Sequence, residues 1–293
     1  MIQSFSDILK KYQLQAEKEI VKSLSAFGGQ GKLREACEYA LMNGGKRVRP
    51  ALVFMVADAL GRKADVSSAA LSIEFLHTAS LIADDLPCMD NDDMRRNKPS
   101  LHKVFGETTA LLVSYALISE GNARIAENAF KMDPAVVPDG IDRYYLGALA
   151  LDNAARNTGV FGTTGGQYLD IFPPELSIAV LQEIIQKKTV SLFEVSLVFG
   201  WLFGGGHPGE LPKVKHAALK FGMAFQIADD FNDLEQDEIN GRKINIVNFL
   251  GVDLAFEMFV NELKEYRQAL QSLNLQSREL LGLAECLEAQ FAL

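Results

Sequence analysis

The sequence predicts an all-α protein, and three observations carry the prediction. Apolar residues recur at three- and four-residue spacing along most of the chain. Strand patterns are scarce. The nine prolines fall mainly at breaks between periodic segments, often beside glycines as in GGGHPGE, where they end helices. With 293 residues, 48% of them apolar, the chain buries a substantial core. It has no Gly/Ser linker or low-complexity tract, so a single all-α domain spanning residues 1–293 is expected.

In chain order, FSDILKKY and LREACEYALM are the first segments with helical apolar spacing. A further helix begins near Leu71 and carries Asp84 and Asp85 at its end. Pro87 cannot donate to the carbonyl of Ala83 and clashes with it, so the helix kinks or stops there and leaves Asp90 beyond the break. Pro99, Pro134, Pro138, Pro173 and Pro174 punctuate the middle of the chain. SIAVLQEIIQ and QKKTVSLFEV resume the helical period, AFQIADDFNDLEQD runs on without a breaker, and LAFEMFVNELKEYRQAL closes the series.

Charge and cysteine content exclude several classes. A formal net charge of −9 leaves no broad basic footprint for nucleic acid. Three cysteines, Cys37, Cys88 and Cys286, form no CxxC pair, which suits a reducing compartment. No apolar stretch reaches the roughly 18–20 residues of a membrane span. The start, MIQSFSDILKKYQLQ, has no long apolar segment behind a basic end, so neither a secretion signal nor a transit peptide is expected, and a cytoplasmic location is.

Two acidic clusters stand out. LIADDLPCMDNDDMRR holds five aspartates within ten residues, and the tetrapeptide IADD returns 145 residues later. In the second cluster Asp229 and Asp233 share a helix face with Gln226, and Asp230 lies beside them. In the first, His77 lies two turns before Asp84 at nearly the same azimuth, with Ser80 between them. Carboxylates stacked beside apolar runs repel one another unless cations sit between them. A solvated helix end explains either cluster alone. Together, with hard oxygen donors and no His/Cys set, they suggest Mg2+ bound along with substrate phosphates by carboxylates on two facing walls. The spacing does not fit a calcium EF-hand.

Basic counterparts accompany them. In NGGKRVRP the backbone amides of Gly44 and Gly45, with Lys46 and Arg49, suit a diphosphate bound without metal; an exposed basic helix start is the plainer reading. Arg95 and Arg96 follow the first acidic cluster directly, where surface charge is also an explanation. Lys188 and Thr189 interrupt an apolar helical pattern, and a buried lysine there needs an anionic partner or ligand.

GGKRVRP, EFLHTASLIADDLPCMDNDDMRRNKPSLHKVFGE, GGQYLD, KKTVSLF and FQIADDFND, in this order and separation, resemble the trans-prenyl diphosphate synthases from about Glu35 to Gly251. The two-residue insertion in the first motif, DDxxxxD, is most similar to the geranylgeranyl diphosphate synthases of plants and bacteria. The resemblance implies the isoprenoid synthase type I fold, with helices around a deep central cavity, usually as a homodimer. It implies that Asp84, Asp85, Asp90, Asp229, Asp230 and Asp233 hold Mg2+, three ions per site once substrate is bound. Arg95, Lys188, Thr189, Gln226 and Lys243 would contact the allylic diphosphate. Gly45, Lys46, Arg49, His77 and Arg96 would hold isopentenyl diphosphate without metal. Asp84, Asp85, Asp229, Asp230 and Lys188 would carry the ionisation step.

Product length would be set four and five residues before Asp84, where Ser80 and Ala79 are small; one helical turn, about 5.4 Å, is roughly one isoprene unit. Geranylgeranyl diphosphate is the expected product, with farnesyl diphosphate as the alternative and a weakly active or non-catalytic partner subunit as the alternative of another class. A terpene cyclase would lack the GGKRxRP and paired-arginine features. The chain departs from the family pattern at Ala83, Asn97, Ser114, Tyr115 and Asn245, none of them a metal ligand, and the segment before Lys243 is shortened.

Overall fold

Helices account for nearly all regular structure among the described residues, 5–234 and 244–291, of this computed structural model. In chain order they are α1 (Phe5–Ser23), α2 (Lys32–Leu41), α3 (Val48–Ala59) and α4 (Ser67–Asp84). A small hairpin of β1 (Met94–Arg95) and β2 (Lys98–Pro99) precedes α5 (Leu101–Phe105) and α6 (Glu107–Lys131). Then come α7 (Arg143–Thr158), α8 (Thr163–Ile171), α9 (Ile178–Ile185), α10 (Ser191–Phe203) and α11 (Leu211–Asn232). Past residues 235–243, α12 (Ile246–Leu250), α13 (Val252–Ser272) and α14 (Arg278–Glu288) complete the chain. Lys243 lies outside the described residues.

Helix α10 is apolar all round and is the centre of the packing. Every residue in it except Glu194 is buried, and α3, α4, α7 and α11 pack against it. Each fully buried phenylalanine there, Phe193, Phe199 and Phe203, contributes about 1.5–3 kcal/mol of transfer free energy. Gly200 lets α10 touch α3, because a Cβ there would lie 2.7 Å from the Val53 carbonyl oxygen. A second apolar cluster joins α2, α4 and α6 through Cys37, Leu41, Phe75, Ala79, Ile82, Val113 and Leu117.

Local chemistry sets the ends that matter for the site. Helix α4 starts at Ser67, four residues before the expected Leu71, because the Asp65 carboxylate accepts the Ser67 N–H at 3.0 Å and Ala69 and Ala70 are already buried. It ends at Asp84, as Pro87 requires. Pro212 sits in the first turn of α11, where its missing N–H costs nothing. Asn245 caps α12 by accepting the N–H groups of Val247 and Asn248. No described helix is long and apolar enough to cross a membrane.

Candidate active site

The C-terminal end of α4 builds the first wall. After Asp84 the chain turns through Pro87, and the Asp90 N–H returns to the Asp84 carbonyl at 2.9 Å. Asp84 is half-buried; burial, with Asp90 and Asp85 beside it and against the pull of Lys188, pushes its carboxyl up to about 7. Asp85 faces elsewhere: it is 3% exposed and accepts from Arg95 Nε at 2.8 Å, with a second bond from Arg95 Nη2. Asp92 shares that guanidinium at 2.9 Å, while Asp93 pairs with Lys103 at the surface.

The β1–β2 hairpin separates the two arginines. Arg95 pairs with Lys98 across the strands, so Arg96 and Asn97 form a two-residue turn with φ of 54° and 63°. Both left-handed residues are what the right-handed twist of a tight hairpin demands, and asparagine tolerates that region well. Arg95 reaches back to Asp85; Arg96, at the apex, donates to the Gly44 carbonyl. Gly45 has φ 117° and lies flat on that guanidinium, for a Cβ would sit 2.5 Å from Arg96 Cζ.

Arg49 and His77 complete this cationic pocket. Arg49 stacks on the Phe193 ring at 4.9 Å and lies 3.2 Å from His77 Nε2. Burial brings the guanidinium down to about 10, and burial with Arg49, Arg96, Arg47 and Arg95 around it holds His77 well below its usual value, hence neutral. Arg49 Nε and His77 Nδ1 are buried with no hydrogen-bond partner. Crowded guanidinium groups with orphaned donors are a site for an anion. Lys46 stands exposed beside them, so the NGGKRVRP segment is part surface and part pocket. Arg47 belongs to the fold instead, in a buried ion pair with Glu74.

The second wall is the end of α11 facing the Lys188 turn. Residues Gln186–Val190 form a π-turn, the Ser191 N–H reaching back to Gln186, and such bulges re-aim side chains at functional sites. Here it presents Lys188 and Thr189. Thr189 Oγ1 donates to Gln226 Oε1 at 2.7 Å, and Gln226 Nε2 donates to Asp230 Oδ1 at 2.7 Å. The second oxygen of Asp230 accepts the Ile246 N–H at 2.8 Å. Asp230, like Asp85, therefore holds the protein together. Asp85 and Asp230 are the buried members of the two IADD pairs, 3% and 7% exposed, although Asp230 still borders the cavity with Asp229.

The walls enclose a cavity of about 580 Å3. Asp90, Asp229, Asp230 and Asp233 line it with Lys188, Thr189 and Gln226, and Leu181, Ile184 and Ile185 of α9 form an apolar side. Lys188 meets the anionic partner that its apolar surroundings require, in an ion pair with Asp170. Among the described residues no three carboxylate, histidine or cysteine side chains close on a point. The donor set nonetheless fits Mg2+, which takes one or two carboxylates and completes its shell with water and phosphate oxygens. All the acidic donors are oxygens and none of the cavity residues is His or Cys.

Of the described residues expected at the site, Asp90, Lys188, Thr189, Gln226, Asp229, Asp230 and Asp233 line this cavity; Asp84, Asp85, Gly45, Lys46, Arg49, His77, Arg95, Arg96, Ala79 and Ser80 do not. Ala79 is 1% exposed in the α4–α6 cluster, its carbonyl accepting from Ser114 Oγ at 3.0 Å. Ser80 is half-buried on the His77 side of α4, and its hydroxyl donates to the His77 carbonyl at 2.9 Å. Sequence reasoning missed Gln167 and Asp170 as site residues. Their i, i+3 spacing in GGQYLD, which puts them on one helix face, was the available signal.

Comparison with known proteins identifies the family and the fold. Residues 30–246 match the polyprenyl synthetase family. The chain is 35% identical over 258 residues to the heterodimeric geranylgeranyl pyrophosphate synthase large subunit 1, chloroplastic, of Arabidopsis thaliana, covering 86% of this chain and 67% of the relative. It is 33% identical over 268 residues to the chloroplastic geranylgeranyl pyrophosphate synthase of Capsicum annuum, covering 86% and 70%. The match thus spans about two thirds of these relatives' length. Among solved structures, a geranyltransferase from Legionella pneumophila superposes with TM-score 0.82 at 26% identity, covering 98% of this chain and 97% of that one. An FPP/GFPP synthase from Zymomonas mobilis gives 0.80 at 27% identity, covering 96% and 98%.

Proposed function

The chain belongs to the polyprenyl synthetase family and is a short-chain trans-prenyltransferase, and from that premise we propose that it extends allylic diphosphates with isopentenyl diphosphate as far as geranylgeranyl diphosphate. The observation that carries this reading is the pairing of two pockets. A cavity bordered by carboxylates and Lys188 adjoins a cluster of Arg49, Arg96 and neutral His77 that needs no metal. The relatives named for the C20 product support the chain length.

In this reading Asp84 and Asp90 on one wall and Asp229 and Asp233 on the other hold Mg2+, which when bound supplies positive charge against the departing diphosphate. Lys188, Thr189 and Arg95 orient the allylic diphosphate from the side. Arg49, Arg96 and Lys46 hold isopentenyl diphosphate so that its double bond faces the allylic carbon. The apolar side of the cavity keeps water from the carbocation left when the C–O bond breaks. The double bond attacks that cation, and the proton lost passes to the released diphosphate. No side-chain nucleophile is required. Lys243, expected on the allylic diphosphate, lies outside the described residues.

The test is incubation of purified protein with Mg2+, isopentenyl diphosphate and each of the C5, C10 and C15 allylic starters, with product length read by chromatography. A C20 product from every starter is expected. Termination at C15 would reassign the product to farnesyl diphosphate, and no Mg2+-dependent product from any starter would overturn the reading.

We also propose a homodimer. The outer face of α6 carries Leu111, Tyr115 and Ile118 at i, i+4 and i+7, exposed by 41%, 57% and 42%, a stripe suited to a second copy of the same helix.

A further inference from the structure

We propose that Gln167 is the positioning residue for Asp90, and that α8 thereby sets the first aspartate wall against Lys188. The inference rests on the metal–diphosphate reading above and deepens it. Asp90 is the carboxylate of the first motif that α4 cannot place. The helix has ended at Asp84, Pro87 breaks the path, and Asp90 itself is exposed. A backbone bond to Asp84 fixes the chain there but leaves the carboxylate free to rotate. Gln167 supplies the missing restraint, its Nε2 donating to Asp90 Oδ1 at 3.0 Å.

Gln167 is itself held. It is only 7% exposed, and Gly166 before it presses α8 onto the π-turn so closely that a Cβ would lie 2.5 Å from the Lys188 backbone nitrogen. One turn on, Asp170 grips Lys188 Nζ. The same face of one short helix therefore holds an aspartate of the first wall and the cation opposite it. The Oε1 of Gln167 is buried without a hydrogen-bond partner, a cost that a hydrated cation beside Asp90 removes. Partners of this kind, which orient a ligating carboxylate without touching the metal, change metal affinity about 10–100-fold when removed.

The experiment compares wild type with Gln167→Met, which keeps the volume and loses the donor, and Gln167→Asn, which keeps the amide on a shorter arm. Calorimetry reads two ligands: inorganic pyrophosphate titrated with Mg2+ present, and isopentenyl diphosphate titrated in chelator. For Gln167→Met the expected result is about a tenfold or greater loss of Mg2+-dependent pyrophosphate binding, with metal-free isopentenyl diphosphate binding within twofold of wild type. Gln167→Asn should fall between. Unchanged pyrophosphate binding in Gln167→Met, or an equal loss of both ligands in both variants, overturns the inference. Wild type that binds pyrophosphate no better with Mg2+ than without it overturns the metal–diphosphate reading as well.

Discussion

Adjacent aspartates in this site have different surroundings and so different expected effects. Asp84 is half-buried near Asp90 and Lys188, where the proposed function puts a cation, whereas Asp85 is committed to Arg95. Asp84→Asn is expected to lower turnover by about 10²-fold or more and to raise the Mg2+ concentration for half-maximal rate. Asp85→Asn is expected to leave that Mg2+ requirement nearly unchanged and to raise KM for the allylic diphosphate, because Arg95 loses its anchor. Steady-state kinetics at varied Mg2+ separate the two. The cysteines also differ by position. Burial, with Glu38 nearby, pushes the Cys37 thiol from near 9 up to about 11, whereas Cys88 is exposed. A thiol reagent at neutral pH should therefore label Cys88 first and Cys37 only on unfolding. The folded state holds the Cys37 proton more tightly than the unfolded chain does. Its contribution to stability is thus full below about pH 9 and is lost as pH rises toward 11. Denaturation midpoints at pH 8 and pH 10.5 should show that loss, and Cys37→Ala should show less of it.

At the scale of elements, close approach decides what each helix tolerates. Gly166→Ala forces α8 off the π-turn and should cost about 1–3 kcal/mol while raising KM for the allylic substrate, measured by thermal melting and kinetics. The same reasoning divides the two small residues before Asp84. Ala79→Tyr overfills the α4–α6 cluster and should lower the melting temperature. Ser80→Phe, on the half-buried His77 side, is expected to shorten the product with a smaller loss of stability, read by chromatography and melting. The helices, the break at Pro87 and the Asp229–Asp233 face were legible in the sequence because each depends on residues within a turn or two of one another. The pairing of Asp85 with Arg95, of Asp230 with the Ile246 backbone and of Lys188 with Asp170 was not legible. Those choices depend on which direction a side chain takes once distant segments meet, and sequence spacing carries no such distance. Ala79 shows the same limit: its spacing from Asp84 was readable, but the Ser114 hydroxyl over its carbonyl came from α6.

At the scale of the whole molecule, the outer face of α6 carries the proposed homodimer. Under the proposed homodimer, Ile118→Asp or Tyr115→Asp should give a monomer in light scattering, with secondary structure retained, because both side chains are exposed and support no described core cluster. The chain carries a net charge of −9, yet the charges of Arg47, Arg49, Arg95 and Arg96 all act on one imidazole, with Arg49 3.2 Å from it. Their charges come from two distant stretches, GGKRVRP and the β1–β2 hairpin, which the fold brings together through α3 and α4. Arg47 is already paired with Glu74 and Arg95 with Asp85, so among the described residues Arg49 and Arg96 are the two of the four without a side-chain ion pair. Under the proposed function a diphosphate entering this pocket would act as a counter-ion as well as a substrate, and the melting temperature should rise as the pocket is filled.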